Sequence, residues 1–340
     1  MLSSMAVAQP LPAQRRQSPT VRFAAAGVLA LAAAVVVYWL FVGTAAGQRL
    51  ENEALLASAL RDETAFRASL ERLSVISVAS FAAALTLMIV VGAARNRLGL
   101  GLVVAASMAL AVVAAEVLKE ILPRPELVSG PSWILRNSFP SGHTAVAAAA
   151  AVGALLVAPD RIRWLVLPAA AGIAALAGQA TQVTGWHRMS CALGAVLIVV
   201  GVAALGLTVV AKAGLVQPDV HGRINRRLTW ALIVAGGLAI VAGILVFILG
   251  LVFPILRAPQ GAQGAFSQTT LVALGIGLTV LIITAFGVLI EPYTLGRSAM
   301  PAGRGSGAVP EHPPGGVVGE SSQADKAWAP TTSVERRGRR

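Results

Sequence analysis

Eight long apolar stretches, separated by short polar breaks, dominate the chain: residues 23–43, 73–94, 98–118, 143–158, 164–184, 189–211, 229–253 and 269–290. None shows the apolar–polar alternation of a half-buried strand, and all but one reach the ~20 residues a helix needs to cross a bilayer. The exception is the fourth, 143–158, which needs help from its flanks. The pattern predicts an all-α fold, a polytopic membrane helix bundle.

The remaining segments are less specific. Residues 51–73, "ENEALLASALRDETAFRASLERL", place Leu55, Ala59, Phe66, Leu70 and Leu73 at near-helical spacing with mixed charges opposite. They read as a short amphipathic helix lying on the outer membrane face, or as a solvated linker. Residues 1–22 form an N-terminal tail and 212–228 a polar linker. Residues 291–340, rich in Gly, Pro, Ser and Arg, read as a disordered basic tail whose final "RRGRR" touches anionic lipid. There is no internal repeat, nucleotide-binding glycine loop or metal-ligand cluster. The last two spans carry almost no polar atoms and read as structural or partner-packing helices.

Composition excludes a soluble domain. Of 340 residues, 56% are hydrophobic and 12% charged, with a mean hydropathy of +0.76. A net charge of +12 would in a soluble protein suggest nucleic acid. Here the basic residues fall mostly between spans, where they set orientation and meet lipid headgroups, and no nucleic-acid partner is expected. The single cysteine, Cys191, excludes an internal disulfide. The first span is too long for the ~7–15-residue core of a signal peptide and reads as an anchor. With both termini cytoplasmic, eighteen Lys and Arg lie inside and nine outside. That bias predicts a multi-pass protein of the plasma membrane. Four of the outer nine, Lys119, Arg124, Arg136 and Arg188, gather at the outer ends of spans three to six.

These outer ends hold the candidate chemistry. Span three ends "EVLKEILPRPELV", the next loop runs "SWILRNSFPSGHT" into span four, and span five ends "ATQVTGWHRMSCALG". Ser141 suits a helix N-cap, and Gly142 lets a ligand approach the backbone. The free amides of a helix start attract an anion. Lys119 and Arg124 add fixed charge suited to phosphate oxygens. His143 and His187 supply a proton donor and a nucleophile. Each feature alone has a plain reading: a snorkelling cation, a capping histidine, a helix start. Their coincidence on the side disfavoured by the charge rule points to phosphoryl chemistry.

The ordered set of Lys119 with Arg124–Pro125, "PSGH" at Pro140–His143, and His187 strongly resembles the type 2 phosphatidic acid phosphatase superfamily, integral-membrane lipid phosphatases related to vanadium haloperoxidases. The resemblance covers about 75–205. It implies a six-span core over 23–211, completed by the first span, with two additional helices over 229–290. It further implies a metal-independent, cofactor-free hydrolysis of lipid phosphates or polyprenyl diphosphates at the outer face. His187 would form a phosphohistidine, and His143 would protonate the leaving oxygen and then activate water. Lys119, Arg124, Ser141 and the amides of Gly142 and His143 would hold the phosphate. Oligomeric state is not implied.

Three departures from the family pattern stand out. Only four residues separate Lys119 from Arg124, where six are usual. Ala180 and Thr181 replace the Ser-Arg that opens the third motif, leaving Arg188 or Arg136 as substitute cations. Cys191 stands where an aspartate would orient the nucleophilic histidine, leaving Ser190 or a backbone carbonyl for that task. Glu116, expected to be buried near the end of span three, pairs most simply with Lys119 at i+3. Two readings follow: an active phosphatase with an altered relay, or a degraded member that binds lipid phosphates without turnover. A transporter or scaffold with a coincidental "PSGH" is the third.

Overall fold

All eight apolar stretches form helices in the computed structural model, which describes residues 18–58, 63–218, 225–252 and 262–296. In chain order the helices are α1 (Pro19–Phe41), α2 (Ala45–Ala57), α3 (Glu63–Ser74), α4 (Val78–Ala94), α5 (Leu98–Ile121), α6 (Ser132–Leu135), α7 (Gly142–Val157), α8 (Arg163–Val183), α9 (Met189–Lys212), α10 (Arg226–Val252) and α11 (Ala262–Ile290). Two three-residue strands, β1 (Val216–Pro218) and β2 (Tyr293–Leu295), complete the described residues. Among the described residues six helices, α1, α5, α8, α9, α10 and α11, are long and apolar enough to cross a membrane. A seventh crossing arises if α3 and α4, bent by 51°, count as one broken span. Helix α7, at 16 residues, is about 24 Å long, short of the ~30 Å hydrocarbon core.

The short α7 is viable because most of its surface is covered by neighbouring helices rather than lipid. Its alanine-rich surface is buried against α4, α5, α8 and α9, with Ala145, Ala148, Ala149, Val152 and Leu155 at 0% exposure. Small side chains let four neighbours approach closely, giving van der Waals contact where the hydrophobic effect gives little inside a bilayer. Helix α9 is the most buried of the six long helices, and α1 crosses it at Gly27 and Gly201. A Cβ on Gly27 would lie 2.8 Å from the Leu205 side chain, so the crossing requires glycine. Helices α10 and α1 are peripheral, while α11 packs against α2, α8, α9 and α10.

Two expectations need correction. The segment 51–73 is not one helix lying on the membrane with its charges in water. It forms α2 and α3, and α2 turns Gln48, Glu51, Asn52 and Leu55 inward, at 1, 1, 7 and 7% exposure. These positions recur at helical spacing, so the buried face of α2 is largely polar. The region expected to be a disordered tail begins with order: β2 pairs antiparallel with β1, Val216 opposite Leu295. The rest of the tail, from residue 297, lies outside the described residues.

Arginines expected only to set orientation hold this strand pair. Arg97 and Arg163 are 7% and 5% exposed. Arg97 donates to the Leu295 carbonyl (2.8 Å) and Arg163 to the Tyr293 carbonyl (3.2 Å). Asp160 lies 2.6 Å from Arg163 and 3.6 Å from Arg97. Arg22 donates to the Tyr293 hydroxyl (2.9 Å).

Removing one partner from a buried ion pair leaves the other charge uncompensated. Asp160→Asn is therefore expected to lower stability by about 2 kcal/mol. Thermal unfolding in detergent checks it; an unchanged midpoint would mean that the carboxylate contributes nothing to the clamp.

Candidate active site

The end of the bundle where α1, α5 and α8 finish and α7 and α9 begin gathers the histidines and the cations. The loop after α5 is folded back by Asn137. Its Nδ2 donates to the carbonyls of Lys119 (3.0 Å) and Leu122 (3.1 Å), and its Oδ1 accepts from Phe139 N (3.1 Å). The Ser141 amide then donates to the Cys191 carbonyl (3.0 Å), tying the start of α7 to the first turn of α9. Ser141 is fully buried, and its hydroxyl caps α7 by accepting from the Thr144 amide (3.4 Å) and hydroxyl (3.1 Å). The amides of Gly142 and His143 head the helix without an intrahelical acceptor. A Cβ on Gly142 would fall 1.9 Å from Glu116 Oε1, so only glycine admits the Glu116 carboxylate here.

His187 follows the turn that ends α8. Gly185 adopts φ +72°, and the amides of Trp186 and His187 both donate to the Thr181 carbonyl, at 3.1 and 3.0 Å. The His187 ring places Nδ1 3.1 Å from the Ser138 carbonyl. A carbonyl can only accept, so Nδ1 carries the proton and Nε2 keeps its lone pair. Burial pulls the His187 pKa down to about 4; the Ser138 bond opposes this, and His143, Lys119 and Arg188 add to it. The ring is therefore neutral at physiological pH, as a nucleophile requires.

His143 stands opposite. Its ring lies 5.4 Å, centre to centre, from that of Trp186, the neighbour of His187. The charged groups acting on it are Glu116 and Lys119. These two form the ion pair expected from their spacing. Glu116 is half exposed, though, not the buried acid the sequence predicted.

The arginines separate into different roles. Arg124 is partly buried and donates from Nη2 to Asn52 Oδ1 (3.1 Å), leaving Nε and Nη1 without a partner among the described residues. Burial and the neighbouring Arg188 lower its pKa, against Glu51. Arg188 is 4% exposed and fully engaged: Nε and Nη2 reach Asn52 Oδ1 (3.3 and 3.1 Å), Nη1 reaches Ser138 Oγ (3.1 Å), and Nη2 also reaches the Ile134 carbonyl. Arg188 thus braces the loop that carries Ser138. Arg136 is exposed and makes no hydrogen bond or ion pair among the described residues.

Neither Ser190 nor Cys191, the side chains nearest in sequence to the missing aspartate's place, hydrogen-bonds His187. Ser190 donates its amide (2.8 Å) and hydroxyl (2.9 Å) to Glu51. Cys191 Sγ lies 3.3 Å from Ser138 Oγ, in an apolar nest with Val42 and Phe139. The Ser138 carbonyl does the orienting. Sequence reasoning also missed Gln48, Glu51, Asn52 and Asn137. The signal for three of them was present, since Gln48, Glu51 and Asn52 share a helix face with Leu55. No group of three or more His, Cys, Asp or Glu able to hold a metal ion occurs among the described residues.

Compared with known proteins, residues 98–215 match the family model described as the PAP2 superfamily. The match takes in α5 to α9, and with them Lys119, Arg124, Ser141, Gly142, His143 and His187; α1 to α4 and α10 to α11 lie outside it. No curated protein and no solved structure matches the chain.

The His187 geometry makes a spectroscopic prediction. In ¹⁵N-histidine-labelled protein the ring should remain the neutral Nδ1–H tautomer down to about pH 4. Between the ordinary value of ~6.5 and about 4, the unfolded chain binds a proton that the folded chain refuses. Stability should accordingly fall as pH drops through that window. Titration near 6.5, or an Nε2–H tautomer, would contradict the arrangement.

Proposed function

We propose, for a chain whose residues 98–215 belong to the PAP2 superfamily, that it is an integral-membrane lipid phosphatase working through a phosphohistidine. The observation that carries this reading is the His187 ring, its Nδ1 held by the Ser138 carbonyl and its Nε2 without a hydrogen-bond partner among the described residues. Nε2 attacks phosphorus, and the N–P bond forms as the bond from phosphorus to the lipid oxygen breaks. His143, protonated at the start, gives its proton to that oxygen. The neutral His143 then takes a proton from water, the hydroxide attacks phosphorus, and the N–P bond breaks to release phosphate. Lys119, the free nitrogens of Arg124 and the amides of Gly142 and His143 neutralise charge on the phosphoryl oxygens, which is the main catalytic demand in such a transfer.

Two features support a lipid substrate on the outer face. An apolar groove of about 490 Å³, walled by Phe81, Val146, Ala147, Ala150, Ile173 and Leu176, opens on the flank of the bundle. Val146, Ala147 and Ala150 follow His143 by three, four and seven positions on α7, so a hydrocarbon chain there leaves its headgroup near the histidines. The opposite end of the bundle carries Arg22, Arg95, Arg97, Arg161, Arg163 and Lys212, the bias of a cytoplasmic side. A polyprenyl diphosphate, or a similar lipid phosphate presented outside the cell, fits both.

A second reading rests on Cys191 and Thr181. With a thiol at one position and a buried hydroxyl at the other, the site lacks a carboxylate and a guanidinium of the family pattern, as a lipid-phosphate binder without turnover would.

A phosphate-release screen over a panel of lipid phosphates and polyprenyl diphosphates decides between them. Wild type is expected to release phosphate, to be inhibited by orthovanadate and to ignore EDTA. His187→Ala should lose at least about 10³-fold, while Cys191→Asp keeps or raises the rate. Silence of wild type and Cys191→Asp alike across the panel would favour binding alone.

A further inference from the structure

The buried polar face of α2 lies outside the segment that matches the family, yet it touches the site at several points. Asn52 Oδ1 accepts three hydrogen bonds from two arginines: one from Arg124 Nη2 and two from Arg188, all between 3.1 and 3.3 Å. One amide oxygen therefore holds two guanidiniums side by side, although like charges repel. Glu51, next in the chain and 1% exposed, supplies the opposing charge and binds both the amide and the hydroxyl of Ser190. Gln48, one turn earlier, donates to the Pro125 carbonyl (2.7 Å), fixing the backbone beside Arg124.

Without such a brace, a long arginine side chain samples many rotamers, and fixing it on binding costs affinity. Asn52 holds the Arg124 guanidinium by one nitrogen and leaves the others available for an anion. Through Arg188 it also steadies Ser138, whose hydroxyl Arg188 grips and whose carbonyl orients His187. The family pattern's motif-three arginine is absent, and Thr181 instead bonds the Gly178 carbonyl within α8.

We propose that Asn52 is a positioning residue of the phosphatase, preorganising Arg124 for the phosphoryl group and holding Arg188 in its brace on Ser138. It touches neither substrate nor nucleophile and works through the two guanidiniums. This rests on the function proposed above, and its test includes a measurement that does not need turnover.

The experiment measures KM, kcat and the Kd for orthovanadate of the full-length protein in detergent, for wild type and Asn52→Ala. The expected result is a rise of about tenfold in both KM and vanadate Kd, with kcat within about threefold. A purely structural role would instead lower the active fraction, cutting apparent kcat and leaving KM and Kd alone. Either that pattern or no change in any of the three overturns the proposal. Should Asn52→Ala not yield folded protein, Asn52→Ser carries the same expectation, because its hydroxyl is too short to reach both guanidiniums. Wild type that binds vanadate but releases no phosphate refutes the hydrolytic reading while the vanadate arm still decides the role of Asn52. Wild type that does neither refutes both.

Discussion

The carbonyl of Ser138 accepts the proton of His187 Nδ1, and much of the surrounding structure exists to keep that carbonyl in place. Asn137 folds the loop over the end of α5, Arg188 clasps the Ser138 hydroxyl and the Ile134 carbonyl, and the Ser141 amide ties the far end of the loop to α9. A backbone carbonyl is a directional but neutral acceptor. It selects the tautomer and aims Nε2, which is most of what an orienting acid does in a triad. In the proposed mechanism it could not neutralise the cation that would develop on a phosphorylated ring.

That deficit explains the rest of the local electrostatics. Burial and three positive neighbours hold His187 well below its ordinary pKa, so the free ring resists protonation. The same surroundings disfavour a cationic phosphohistidine unless the phosphoryl group brings its own negative charge close by. In the proposed mechanism Lys119, Arg124 and the start of α7 would pull that charge into the site, and the pair would then be mutually stabilising. The carboxylates present do not substitute for the missing aspartate. Glu116 is taken up by Lys119, and Glu51 by Ser190 and the neighbouring guanidiniums.

Much of this was legible in the sequence. Eight apolar runs became eight helices, and Lys119, Arg124–Pro125, "PSGH" and His187 pointed to the family whose model residues 98–215 match. What escaped was of two kinds. Backbone groups leave no signature in a pattern of side chains, so the Ser138 carbonyl could be raised only as a generic backbone acceptor. Polar residues on α2 were assumed to face water because charged helices usually do, when Glu51 and Asn52 had found buried partners 139 and 72 or 136 residues away. Pairings at such separations, like that of β1 with β2, have no local cause and appear only when the chain is assembled.

Helix α11 explains how that polar face of α2 stays dry. It packs along α2, where Leu271 joins Ala54, Met189 and Leu193 in one apolar cluster. The glycine at 264 lets the helices close, since a Cβ there would stand 2.9 Å from that of Ala57. Gln268 and Leu271 wall a small cavity that Glu51, His187 and Arg188 line from the other side. Water admitted here would screen the Glu51–arginine attraction and compete for Asn52 Oδ1, weakening the brace by the same dielectric argument that makes it strong. The additional helices are therefore more than a hydrophobic appendage. Helix α11 seals the back of the site, and α10, largely exposed and packed chiefly on α11, shields that seal from the surrounding lipid.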